Sequence, residues 1–129
     1  MNNESGKIET FFDLDAWKEG HTFVLMTYAI TKKFPREEMF GLVSQMRRCA
    51  VSITSGIAEG FSRQSYKEKA QFYSIGLGSV TELQNQLVIA KDVAFINQED
   101  FERMYAQSVK VHKILNGLIK SSKAIIRNS

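Results

Sequence analysis

Proline and cysteine occur once each in 129 residues, and glycine eight times. So few turn residues argue against a chain of many short strands and for a few long helices. A lone Cys49 cannot close an internal disulfide, and its place on an apolar stripe suits a small buried hydrophobe. No apolar run approaches the length of a membrane-spanning helix. The first ten residues, MNNESGKIET, lack the basic start and apolar segment of a secretory signal. These absences predict a cytoplasmic protein with a polar tail at 1–12 and one domain at 13–129, long enough to bury a single core.

What is present is an ordinary globular composition, 43% hydrophobic and 24% charged, with an uneven distribution of charge. Residues 1–64 are neutral overall, residues 65–102 carry three bases against six acids, and residues 103–129 carry six bases and no acid. A net charge of +3 therefore conceals a basic C-terminal stretch and an acidic middle.

Apolar residues recur at helical spacing through four segments. Phe12, Asp13 and Trp17 fit a hydrophobic staple around an Asp13 N-cap, which predicts a first helix from Asp13 to Lys33. Its stripe is Leu14, Trp17, His21, Val24, Tyr28 and Thr31, widened by Phe23, Leu25 and Ile30. Phe34-Pro35 breaks it, and Pro35 can open a second helix reaching Gly60. That helix has two apolar stripes, one through Leu42, Met46, Cys49, Ala50, Ile53 and Ile57 and a shallower one through Val43, Val51, Thr54 and Ala58. One bundle needs only one such face, so the second points to a subunit contact. Ser65 with Glu68 reads as a capping box for a third helix running to about Ala94, and Asn97 as the N-cap of a fourth. Gly76 and Gly78 cost about 1 kcal/mol each inside a helix, which a close helix crossing would justify. Short links make the whole an all-α, antiparallel up-down-up-down four-helix bundle.

Candidate chemistry is sparse. A di-iron bundle needs Glu-x-x-His pairs, and neither histidine, His21 or His112, follows a glutamate at that spacing. Both sit on apolar stripes and read as core histidines, so no metal is expected. No arginine stands a turn or two ahead of either, which removes an Arg–His ribonuclease pattern. Glu59 and Glu82 lack a nucleophile or phosphate cradle and read as structural ion-pairing carboxylates, with Arg47, Arg48 or a neighbouring subunit as partners. No catalytic residue and no cofactor is expected. The cations are the remaining signal. Arg103, Lys110, Lys113, Lys120, Lys123 and Arg127 gather away from the seam of the fourth helix, and Arg47, Arg48 and Arg63 form a second cluster. No aromatic side chain interleaves with the stripe, so it suits backbone phosphate or nucleic-acid shape better than stacked bases. Whether Arg47 and Arg48 meet phosphate or hold subunits together is open at this point.

The chain resembles the four-helix-bundle family of proteins encoded in intervening sequences of bacterial large-subunit ribosomal RNA, which also includes the accessory variability proteins of diversity-generating retroelements. The resemblance runs over roughly Phe12 to Ile126. It rests on Leu14-x-x-Trp17, the Phe34-Pro35 break, Gly41-Leu42-x-x-Gln45-x-Arg47-Arg48, Ser52-Ile53-x-Ser55-x-Ile57-Ala58-Glu59-Gly60 with Arg63, and Gly78-Ser79-x-x-Glu82-Leu83. Thr54 and Gly56 stand where the family commonly has Pro and Asn, and Gly76-Leu77 where it often has Ala-Arg, so one family cation is missing. The resemblance implies a homo-oligomer, a pentameric ring, with a non-enzymatic role in which basic surfaces meet RNA, DNA or a reverse transcriptase. The resulting expectation is an oligomeric adaptor for nucleic acid, structured RNA first. Its alternative is a protein-binding scaffold for a reverse transcriptase or another acidic partner.

Overall fold

Two of the four helices start where a side chain can replace the missing turn. The computed structural model describes residues 6–128. Its long helices are α1 (Asp15–Thr31), α2 (Ser44–Ser62), α3 (Tyr66–Asp92) and α4 (Gln98–Arg127), with no strand among the described residues. Ser65 Oγ accepts from the Glu68 N–H at 3.1 Å, and Asn97 Oδ1 from the Asp100 N–H at 2.7 Å. Each satisfies a first-turn amide that has no partner inside its own helix.

The other two starts differ from the sequence expectation. α1 begins at Asp15 with extended Leu14 before it. The Asp13 carboxylate turns back, accepting from the Glu9 and Thr10 amides at 3.0 Å each and from Thr10 Oγ1 at 3.2 Å. Those backbone bonds hold the carboxyl below its ordinary range. The aromatic contact of the expected staple still forms, with the Phe12 and Trp17 rings 6.4 Å apart. Of the polar tail expected at 1–12, residues 1–5 lie outside the described region.

The second helix does not run from Pro35. A short 3-10 turn (Arg36–Glu38) and a wider π-type turn (Met39–Val43) precede α2. Glu38 Oε2 accepts from the Leu42 N–H at 3.3 Å. A β-carbon on Gly41 would lie 2.6 Å from that same oxygen, so only glycine leaves room for the cap. α3 also ends earlier than its apolar pattern suggests. Asp92 is its last residue, and Ala94 adopts a left-handed φ of 64°, while the Phe95 amide returns to the Ala90 carbonyl at 2.8 Å.

α1 packs on α2 and α4, and α3 packs on α2 and α4. The order of contacts is regular. Gly20 meets Ile53, Thr54 and Ile57, whereas the later Thr31 meets the earlier Arg47. Cys49 meets Ser79, Gly56 meets Gly76, and Gly60 meets Tyr73. Gly76 also faces Leu115, and Gln84 meets Ser108. Later residues of one helix thus lie against earlier residues of the next.

The core is built from Phe23, Met46, Ile53, Ile57, Val80, Leu83, Leu87, Met104, Val111 and Leu115. The first stripe expected for α2 is buried apart from half-buried Leu42; of the second, Val43 is buried, Thr54 and Ala58 are half-buried and Val51 is exposed. Of the stripe expected for α1, Phe23, Val24, Ile30 and Thr31 are buried, Leu14, Trp17 and His21 are half-buried, and Leu25 and Tyr28 are exposed; Ala16, Gly20 and Thr27 complete the inward face. Thr27 and Thr31 can be buried because each hydroxyl donates one turn back, to the Phe23 and Thr27 carbonyls at 2.8 and 2.7 Å.

Gly76 forms the predicted close crossing, where it meets Gly56 of α2. A β-carbon on Gly56 would lie 2.8 Å from the Phe72 carbonyl oxygen and 3.0 Å from the Gly76 nitrogen. Gly78 plays no part, since nothing in the chain lies within 4 Å of a β-carbon there. Gly56→Ala should therefore cost about 2–3 kcal/mol in urea denaturation, because backbone must move. Gly117→Ala, exposed within α4 with nothing within 4 Å, should stabilise by about 1 kcal/mol. Ala94→Gly should also stabilise, by relieving the left-handed conformation.

Candidate nucleic-acid interface

α4 is the longest helix, about 45 Å by its rise per residue. All six of its basic residues, Arg103, Lys110, Lys113, Lys120, Lys123 and Arg127, are exposed, opposite the buried Met104, Ser108, Val111, Leu115, Ile119 and Ser122. They are not equivalent. Arg103 pairs with Asp100 at 3.6 Å, and Lys110 with Glu19 of α1 at 3.4 Å. Gln107 donates to the Glu19 carboxylate at 3.1 Å and, with Lys110, holds that carboxyl below its usual range. These two cations are partly neutralised within the chain.

Lys113, Lys120, Lys123 and Arg127 have no acid within ion-pair distance among the described residues. They occupy the C-terminal half of α4. Lys113 borders a cleft of about 350 Å³ with Gln84, Val109, His112 and Asn116. Lys123 faces Lys67 of α3 across an apolar groove that includes Ala70 and Ile75. Four unpaired cations thus share one end of one helix, while Lys18, Lys32, Lys33, Arg36, Arg48 and Lys67 are exposed without an ion-pair partner elsewhere among the described residues.

The second cluster does not join it. α2 lies diagonally across from α4 and packs on α1 and α3. Arg47 is turned into the chain: Nε donates to Thr31 Oγ1 at 2.9 Å, a terminal nitrogen to the Tyr28 carbonyl at 3.5 Å, and the guanidinium covers the Tyr28 ring at 4.8 Å. It caps the negative end of α1. Arg63 lies over Phe72 at 4.3 Å and 4.0 Å from Glu59. Arg48 alone of the three is exposed without an acidic partner among the described residues. About 22 Å of helix rise separates it from Arg63.

Glu59 and Glu82 are both exposed and belong to different levels of the bundle. Glu59 pairs with Arg63, one turn along α2, and not with Arg47 or Arg48. Glu82 lines a cleft between α2 and α3 with Gln45, Arg48, Cys49, Ser52 and Ser79, and forms no ion pair among the described residues. The histidines are half-buried rather than core residues. His21 stacks on Trp17 with ring centres 4.5 Å apart, and His112 borders the Lys113 cleft. No group of three or more His, Cys, Asp or Glu residues among the described residues could hold a metal. No described helix is long and apolar enough to cross a membrane.

One surface residue escaped the sequence reading. Phe40, within the wide turn before α2, is 94% exposed. A helix continuing from Pro35 was expected there, so no periodicity singled it out.

An all-α protein of four long helices, with four unpaired cations on the C-terminal half of the last, is the class these observations define. The chain belongs to the 23S rRNA-intervening sequence protein family, whose model it matches over residues 12–117. Lys120, Lys123 and Arg127 lie beyond that span, so three of the four unpaired cations of α4 are read from this chain alone. The fold is similar to that of a crystal structure from Bacteroides thetaiotaomicron, a protein of unknown function from the S23 ribosomal protein family. The TM-score is 0.76 at 23% identity, covering 81% of this chain and 95% of that one, a likeness of fold alone. No curated protein matches the chain.

Cys49 is the one cysteine, and its setting excludes ready reactivity. Burial first, then the nearby Glu82 carboxylate, push its thiol from an ordinary 9.0 up to about 12. It donates to the Ser79 carbonyl at 3.0 Å. Stability from the neutral thiol is full below pH 9.0 and falls as pH rises towards 12, where only the unfolded chain ionises readily. At pH 8 a disulfide reagent should therefore label native protein at least tenfold more slowly than urea-unfolded protein. Equal rates would show that the thiol is accessible.

Proposed function

We propose that this protein is a non-enzymatic RNA-binding adaptor that acts in the cytoplasm as a homo-oligomer. Its unit is an up-down-up-down four-helix bundle spanning residues 13–129, and the ring is the pentamer that the family resemblance implies. Lys113, Lys120, Lys123 and Arg127 meet RNA phosphates, with Arg103 and Lys110 at the edge of the surface and Arg48 and Arg63 on separate faces. Arg47 serves the fold first, because its guanidinium is committed to α1. No cofactor or metal takes part.

One observation carries this reading: four exposed cations without acidic partners occupy one half of α4, in a family associated with 23S rRNA. Free cations release counterions from a polyanion, while ion-paired ones must first break a contact. Repetition around a ring raises the effective concentration of such weak contacts. Structured RNA is favoured over DNA by the family association, and shape over base identity by the absence of aromatic residues between Lys113 and Arg127. That same absence favours the second reading, in which an acidic protein such as a retroelement reverse transcriptase docks on the stripe.

With about four phosphate contacts per subunit, affinity for a structured ribosomal RNA fragment should fall on the order of a hundredfold between 50 and 200 mM salt. Fluorescence anisotropy titrations measure this directly. A Lys113→Glu, Lys120→Glu variant should flatten the slope and weaken binding at low salt. Salt-independent affinity, or unchanged binding by the variant, would remove the RNA reading. Recovery of one defined protein partner in its place would establish the second.

A further inference from the structure

A buried hydroxyl fixes the direction of one polar side chain at the cleft beside Lys113. Ser108, on the α3 side of α4, is fully buried. Its Oγ lies 2.6 Å from the Tyr105 carbonyl oxygen, a separation that requires a proton between them, and only the serine has one to give. With that proton spent, the hydroxyl can only accept, and Gln84 of α3 supplies the donor, Nε2 at 3.0 Å. The Gln84 amide is therefore turned with its NH2 group towards Ser108 and Oε1 away from it.

Gln84 Oε1 accepts nothing from the described residues, and it is open to solvent: among them, the one side-chain oxygen sealed away without a partner is that of Gln86. It stands as an unused acceptor at a cleft of about 350 Å³, whose other walls are Val109, His112, Lys113 and Asn116. His112 and Asn116, both half-buried, likewise have no hydrogen-bond partner among the described residues. No acid lines the cleft. Its volume lies at the lower end of those that seat small groups.

A carbonyl acceptor and an ammonium group sharing one cleft select a ligand that carries a hydroxyl beside an anion. A phosphate alone would satisfy Lys113 but meet Gln84 Oε1 with like partial charge. A ribonucleotide unit carries both, because its 2′-hydroxyl adjoins the 3′-phosphate. We infer that this cleft reads the 2′-hydroxyl of RNA. Gln84 Oε1 accepts the hydroxyl's hydrogen bond, Lys113 holds the adjoining phosphate, and Val109 packs against the sugar, with His112 and Asn116 completing the polar rim. Lys120 shares Lys113's side of α4 about 10 Å further along the helix, so the same strand continues onto it. The inference rests on the RNA reading above and adds what phosphate contacts lack, since those are alike for RNA and DNA. Where the hydroxyl is missing, Gln84 Oε1 is taken out of water and left unpaired, which is the costly case.

The probe is one ribosomal RNA hairpin made with either 2′-hydroxyl or 2′-fluoro sugars. Fluorine keeps the A-form helix but cannot donate, so shape and phosphates stay constant while the hydrogen bond is lost. Anisotropy titrations should find the unaltered chain binding the hydroxyl form on the order of tenfold more tightly. Gln84→Met, which removes the acceptor at similar length, should bind both forms alike, and the fluoro form no less tightly than the unaltered chain does. Equal affinity of the unaltered chain for the two forms would overturn the inference and leave phosphate binding standing, whether or not the variant folds. A preference that survives in Gln84→Met, with both affinities lowered together, would also overturn it by giving Gln84 a structural role only. Displacement of the hairpin by millimolar ribose 5-phosphate would assign the cleft to a free sugar phosphate instead. No affinity for either form would remove the RNA reading, and this inference with it.

Discussion

Backbone meets backbone at Gly56 and Gly76, and the arrangement of the helices depends on that contact. A β-carbon on either glycine would lie 3.1 Å or less from main-chain atoms of the other helix, and main chain cannot rotate aside as a side chain can. The approach draws α2 onto α3 closely enough for the Cys49 thiol to reach the Ser79 carbonyl and for Ser79 to bond Ser52 at 2.9 Å. Leu115 of α4 then covers Gly76 from the other side. Three helices are positioned by the absence of two side chains. The conformational cost of glycine in a helix is offset by dispersion contacts that no larger residue could make.

Cations in this protein divide between the fold and the surface. Arg47 of α2 reaches the last turn of α1, and Lys69 of α3 donates to the Phe61 carbonyl at 2.7 Å, near the end of α2. In both cases a positive side chain on the following helix satisfies carbonyls at the negative end of the one before. Burial lowers the Lys69 pKa from its ordinary value, and the two carbonyl oxygens within reach of its ammonium group show why the charge is nonetheless placed there. What remains for a ligand is the charge that structure does not consume. Counting basic residues overstates that surplus; following each to its partner leaves four on the C-terminal half of α4 and others scattered over α1, α2 and the start of α3.

The surface left over is of two chemical kinds in two places. Four unpaired cations lie on the C-terminal half of α4, while Tyr28, Met39, Phe40 and Val51 leave apolar surface exposed beside α2. Of the second stripe that α2 presents, Val43 is buried, Thr54 lies against Gly20 of α1 and Val51 is exposed, so the margins of one core account for most of it.

The sequence alone determined the number of helices, the caps at Ser65 and Asn97, the main apolar face of α2 and the position of the basic stripe on α4. Each rests on neighbours three or four residues apart, which share a helix face whatever the rest of the chain does. Tertiary structure decided the others. Asp13 serves a turn rather than a cap, and Glu38 with Gly41 opens a wide turn where periodicity implied continuous helix. Lys110 is neutralised by Glu19, and Gly76 is met by Gly56 of α2, while Gly78 takes no part in that crossing. In the last two cases the partner lies on another helix, and in the first two the competing bond is a single carboxylate geometry. Hydrophobic spacing encodes which face turns inward, but not which atom of a neighbouring element will be waiting there.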